Sequence, residues 1–262
     1  MKYCLNIILI YLLIIFTSGS VYAGDVKLCG PSDYIVFGGY SFHNDVYGAS
    51  NINDAINNYK QCTTILDNNG SLNFKTEWSY KLKSNGIKAY PHMNYGWDWV
   101  GSSYGGLLPG VVSSIDELKS NFHYKMTTNS KYNVSYDIWI SDKKIPEIKD
   151  IKAELMVWVE NSGLTEILGN KYKIVNIDGV NYKVYYRNPS NKKNKWIYIA
   201  FVVDKEKIGS SSINIKSFIN YISEIGLISS SDYVNNISFG AEILDGVGLF
   251  SIESFSVEGL LR

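Results

Sequence analysis

Along most of the 262-residue chain, apolar side chains alternate with polar ones in short runs, and clusters of Gly, Asn, Ser and Asp separate the runs. A period of two sets one face of a strand on a core and the other outside it. Ile35–Phe37, Ser71–Tyr80, Lys171–Ile177, Tyr182–Tyr186 and Trp196–Val203 are therefore expected as strands. Asn69-Gly70 and Asp178-Gly179 sit between such runs and suit tight hairpin turns that need positive φ. One segment keeps the helical period instead: Ile215, Phe218, Ile219, Ile222 and Ile225 recur at spacings of three and four, with Asn214 as N-cap and Gly226 as terminator. Gly101–Gly110 reads as a long surface loop. The pattern predicts an all-β fold, a sandwich or jelly roll with one packed helix.

The amino terminus changes this picture. Lys2, an apolar run from Leu5 to Phe16 and the small-residue site Val21-Tyr22-Ala23 make a signal peptide over residues 1–23. The run is about twelve residues, against the ~20 that a spanning helix needs. Residues 24–262 then form one domain with no linker or repeat, expected to be secreted, free of the membrane and monomeric. Cys4 leaves with the signal, so Cys29 and Cys62 remain as a pair in an oxidising compartment, either as a disulfide or as two free thiols.

Charge narrows the partner. Lys plus Arg number 25 and Asp plus Glu 25, so no basic excess exists to displace phosphate counterions, and a nucleic-acid partner is not expected. Aromatic content of 14% suits a neutral ligand with apolar faces, although strand preference accounts for part of it. His43, His92 and His123 lack metal-ligand spacing, so neither metal nor cofactor is expected.

Three strands carry acids on the face opposite their core residues. Glu154, Met156 and Trp158 oppose Leu155, Val157 and Val159. Glu242 shares a face with Gly240, where a missing side chain leaves room for a ligand or another backbone. Asp137 and Trp139 oppose Tyr136, Ile138 and Ile140. If those faces form one surface, two carboxylates over an aromatic floor are the minimum apparatus for glycoside hydrolysis.

These residues resemble glycoside hydrolase family 12. Glu154-Leu155-Met156-Val157-Trp158 is similar to the family's nucleophile strand, Phe239-Gly240-Ala241-Glu242 with Gly246 to its acid/base strand, and Tyr136-Asp137 to the strand beside the nucleophile. Asn44-Asp45-Val46-Tyr47-Gly48, Gln61-Cys62, Glu77-Trp78-Ser79-Tyr80 and Lys88-Ala89-Tyr90-Pro91 extend the likeness in order from Cys29 to the C-terminus. The family usually has Asn and Trp where Asp45 and Tyr47 stand.

The resemblance implies a two-sheet β-jelly-roll sandwich with a concave substrate cleft, and a retaining endo-β-1,4-glucanase acting on a β-glucan polysaccharide, with Glu154 as nucleophile, Glu242 as general acid/base and Asp137 tuning the nucleophile. It also implies a Cys29–Cys62 bridge. Asp45, Tyr47, Trp78, Met156 and Trp158 are the candidate substrate contacts, with Trp78 and Tyr47 open to a second reading as core aromatics. Xyloglucan specificity and a non-catalytic glucan-binding jelly roll are the alternatives. Asn69, Asn133 and Asn236 begin N-glycosylation sequons.

Overall fold

The computed structural model describes residues 25–50, 59–68, 71–81, 86–100, 102–165, 167–189, 196–204 and 210–262. The expected signal peptide and the Asn69-Gly70 turn lie outside them. Two sheets carry the described strands. The smaller runs Val26–Leu28, Tyr59–Asn68, Ser71–Tyr80, Gly246–Leu261, Ile115–Thr128, Ser210–Asn214. The larger runs Asn170–Ile177, Val180–Arg187, Ile197–Val203, Ile151–Ser162, Tyr132–Ser141, Asn236–Ile243, His92–Trp97, Tyr40–His43, Tyr34–Phe37, with three two-residue strands attached.

Alternation decides how the sheets meet. Phe74, Trp78 and Tyr80 point inward from the smaller sheet, as do Phe122, Tyr124 and Phe250. Tyr136, Ile138, Leu155, Val157 and Phe239 meet them from the larger one, all within one buried cluster. Phe122 and Tyr136 pack edge to face at 5.8 Å, and Phe239 lies 4.9 Å from Phe122, so aromatic rings join the layers. With those faces consumed by the core, the opposite face of the larger sheet is left for the acids.

The hairpin turn and the helix follow their local signals. Asp178 and Gly179 both have positive φ, as a two-residue hairpin turn requires. The helix spans Ile215–Glu224 and buries Ile215, Phe218, Ile219 and Ile222, with Phe218 against Phe201 at 5.1 Å and Tyr182 at 5.3 Å. It ends in a Schellman motif: Gly226 N–H bonds Ser223 O and Leu227 N–H bonds Ile222 O, with Gly226 at φ +76°.

Other expectations need correction. Asn214 occupies the N-cap position with extended backbone, but its side chain makes no capping bond. Ile225 is exposed at the C-cap. The stretch expected as loop carries the short strands Ser103–Tyr104 and Gly110–Val111, the first paired to Gly96 and Trp97. The expected bridge, by contrast, is present: Cys29 and Cys62 form a disulfide. No helix among the described residues is long and apolar enough to cross a membrane.

Candidate active site

The three acids come from three consecutive strands of the larger sheet. Tyr132–Ser141, which carries Asp137, lies between the strand of Glu154 and the strand of Glu242. The two glutamates are therefore separated by one intervening strand. Register sets their rows: Trp139 faces Glu154, Asn133 faces Glu242, and Asp137 faces Met156 on one side and Ser238 on the other. Directly opposed residues share a face, so all of these side chains stand on the side away from the core.

A cavity of about 360 Å³ opens on this face and is lined by both Glu154 and Glu242, together with Tyr47, Met156, Trp158 and Tyr198. Tyr47 is 45% exposed and reaches in from the rim. Met156 and Trp158 are nearly buried in an apolar patch with Leu164, Tyr198 and Leu244. Trp78 is elsewhere. It sits on the smaller sheet, 3% exposed, pointing into the sandwich with Nε1 donating to Asp245 O at 3.2 Å, and is a core residue.

Each glutamate has one oxygen tied by a neutral donor. Trp196 Nε1 donates to Glu154 Oε2 at 2.7 Å, and Asn133 Nδ2 donates to Glu242 Oε2. Asn133 is fully buried and is itself braced by Ser135 Oγ donating to its Oδ1 at 3.0 Å. Tyr47 also hydrogen-bonds Glu242. Neither Trp196 nor Asn133 stood out in the sequence as a site residue.

Electrostatics follow from crowding. Burial foremost, with Glu242 nearby, pushes Glu154 up to about 7 against the pull of the Trp196 bond and Arg187. Burial raises Glu242 to about 7, opposed by its bonds from Asn133 and Tyr47. Asp137 goes well above the carboxylate range, first through burial and then through Glu154 and Glu242. Its Oδ1 is buried without a partner, as suits a carboxyl kept neutral beside two others. Three acids so close titrate as a set.

The floor continues beyond Ser238 as a buried polar network. Ser238 Oγ and Asn236 Nδ2 both donate to Asn94 Oδ1, at 2.8 and 2.9 Å, and Ser41 Oγ donates to Asp98 Oδ2 at 2.6 Å. His43 Nε2 lies 2.7 Å from the same Asp98 oxygen. Burial would raise Asp98, but His43 and Ser41 hold it down at about 2. The rings of Tyr34, His43, His92 and Tyr90 stack in sequence at 5.4, 4.5 and 4.9 Å. Burial and His43 push His92 down to about 3, so the neutral ring donates Nδ1–H to Tyr90 O at 2.6 Å. Its 3.8 Å approach to Asp45 is therefore no ion pair. Asp45 itself, at φ +32°, is lifted to about 7 chiefly by burial.

Two further expectations meet the geometry here. The space at Gly240 is taken by backbone: a Cβ there would come within 2.4 Å of Pro91 O. Asn133 and Asn236 are buried, so neither sequon can carry a glycan in the folded protein, and the Asn69 sequon lies in part outside the described residues.

A two-sheet β-sandwich whose cleft holds a pair of glutamates with raised affinity for protons has the build of a glycoside hydrolase. The Glycosyl hydrolase family 12 model matches residues 38–258. The chain is 25% identical over 235 residues to the xyloglucan-specific endo-beta-1,4-glucanase A of Emericella nidulans, covering 87% of this chain and 89% of that one. Among solved structures, the native family 12 xyloglucanase from Bacillus licheniformis superposes with a TM-score of 0.78 at 26% identity, over 90% of this chain and all of that one. Endoglucanase 3 of Trichoderma harzianum has the same fold at a TM-score of 0.76 and 22% identity, over 90% and 98%. The chain belongs to glycosyl hydrolase family 12.

Proposed function

We propose that the chain is a secreted, monomeric endo-β-1,4-glucanase that hydrolyses with retention. The observation that carries this reading is the pair Glu154 and Glu242 on one cavity, each held by a neutral donor and each raised toward neutrality. In the first step Glu154 attacks the anomeric carbon while Glu242 gives its proton to the departing glycosidic oxygen. In the second, Glu242 takes a proton from water as the water displaces Glu154. Asp137, neutral and wedged between them, is the group available to donate a hydrogen bond to the nucleophile. Met156 and Trp158 supply apolar cleft surface, Tyr47 a ring at the rim, and Asp45 a polar contact. The disulfide between Cys29 and Cys62 accords with an oxidising, extracellular setting.

Reducing-sugar release from carboxymethylcellulose, mixed-linkage β-glucan, xyloglucan and xylan, for the native chain beside Glu154→Gln and Glu242→Gln, tests the proposal. Hydrolysis of at least one β-1,4-glucan, abolished in both variants, is expected. A second reading, preference for xyloglucan, draws on the names of the Emericella and Bacillus relatives, and the same assay separates it from cellulose-like preference.

A further inference from the structure

The nucleophile's surroundings contain an aromatic array that the reaction as written does not use. Trp196 is half-buried at the start of the Ile197–Val203 strand, which pairs in parallel with the strand of Glu154, Ile197 opposite Ala153. Its indole packs edge to face on Trp139 at 5.3 Å and 81°, and Trp139 on Trp99 at 4.9 Å and 83°. Trp139 stands opposite Glu154 in the register and is 8% exposed. Perpendicular packing on Trp139 fixes the plane of the Trp196 ring, and that plane aims Nε1–H at Glu154 Oε2, 2.7 Å away.

We propose that Trp196 is a positioning residue for the nucleophile, its indole N–H holding Glu154 Oε2 so that Oε1 is the oxygen that bonds the anomeric carbon. The inference rests on reading Glu154 as the nucleophile. In the first step an electron pair on Oε1 forms the new bond to the anomeric carbon, the glycosidic bond breaks, and the leaving oxygen takes the Glu242 proton. Oε2 then becomes the ester carbonyl oxygen and still accepts from Trp196. When water attacks and gives its proton to Glu242, the bond to Oε1 breaks with its electron pair returning to Glu154. The N–H stabilises the departing carboxylate, because a hydrogen bond to a charged acceptor is stronger than one to a neutral ester.

An indole N–H carries no charge and does not titrate in the working range, so it can serve both states of Glu154. The other titratable groups around Glu154 are charged or acidic: Glu242 and Arg187 act on it, each from two strands away, and Asp137, Tyr47 and Tyr198 sense its charge. A lysine in place of Trp196 would compete for the same carboxylates, whereas the indole commits to one oxygen.

The test compares the native enzyme with Trp196→Phe, which keeps a ring against Trp139 and loses the donor. Both are labelled with 2,4-dinitrophenyl 2-deoxy-2-fluoro-β-cellobioside, and peptide mass spectrometry locates the label. Spontaneous reactivation of the trapped Glu154 ester is expected to slow roughly tenfold to a hundredfold in the variant. The acidic limb of kcat/KM should move to higher pH, since a lost donor favours the protonated acid. Nitrogen-15 indole spectra of the native protein are a second readout that does not depend on the folding of Trp196→Phe. One of the six tryptophan Nε1 signals should titrate with Glu154 and stop doing so in Glu154→Gln. Native-like reactivation and an unmoved limb in Trp196→Phe, or no titrating indole in the native protein, overturns the proposal while leaving Glu154 as nucleophile. A label on any residue other than Glu154 overturns both.

Discussion

Asn133 and Glu242 face each other across adjacent antiparallel strands, and the amide of the first donates to the carboxylate of the second. The donor favours the ionised form, so it works against burial, which pushes Glu242 up to about 7. Asn133 thereby sets both where the acid points and how high in pH it keeps its proton.

Asn133→Ala is expected to lower kcat about tenfold through loss of one charge-assisted hydrogen bond. It should also shift the basic limb of the pH–rate profile upward, because the untethered carboxyl holds its proton longer. Steady-state rates across pH on one soluble glucan check both, and a downward shift of the limb would contradict the role.

The raised acids carry a stability cost with a definite sign. A carboxyl whose folded pKa exceeds its unfolded one binds more protons when folded, so stability is greatest at low pH. It falls as pH rises from the unfolded value near 4.5 to the folded value near 7. Glu154→Gln should therefore stabilise the fold at pH 8 by on the order of 2 kcal/mol, discounted for access of water to the cleft, and by little at pH 4. Asp137→Asn should act in the same direction while retaining more turnover than Glu154→Gln, since it orients rather than bonds. Thermal midpoints at the two pH values and kcat for each variant decide these points.

Trp78 and Tyr47 are each open to a platform and a core reading from sequence, and the structure separates them, with Trp78 in the core and Tyr47 at the rim. Trp78→Ala empties a buried site and should cost ~3–5 kcal/mol, with KM near native in whatever fraction folds. Tyr47→Ala, at a half-exposed position, should change stability by less than about 1 kcal/mol and raise KM several-fold. Denaturation midpoints and KM measured together would expose an exchange of roles.

Asp45 occupies the place where the family usually has Asn. With its carboxyl lifted to about 7, it is neutral below that pH and can donate to a sugar hydroxyl as an amide does. KM should rise as pH climbs through 7, and Asp45→Asn should flatten that rise. A KM that depends on pH equally in both proteins would remove Asp45 from the substrate contacts.

How much could be read beforehand follows from range. Strand faces needed only period-two alternation, so Glu154, Glu242 and Asp137 fell on the right side of their strands. The same rule, applied to Phe74, Trp78 and Tyr80, sets all three on one face and marks it as core, a signal that favours the core reading of Trp78 over the platform reading. Trp196 and Asn133 were invisible for another reason. Their partners, Glu154 and Glu242, lie 42 and 109 residues away, and only the parallel pairing and the register bring each donor to its acid. The Tyr34–His43–His92–Tyr90 stack likewise depends on strands that meet through His43 facing His92.

The central claim is retention through Glu154, and the first anomer formed tests it most directly. Proton NMR during the opening minutes of hydrolysis, before mutarotation, should show the β-anomer accumulating first, because two inversions at one carbon restore its configuration. An α-anomer appearing first would mean that water attacks the substrate directly and that Glu154 is not a nucleophile.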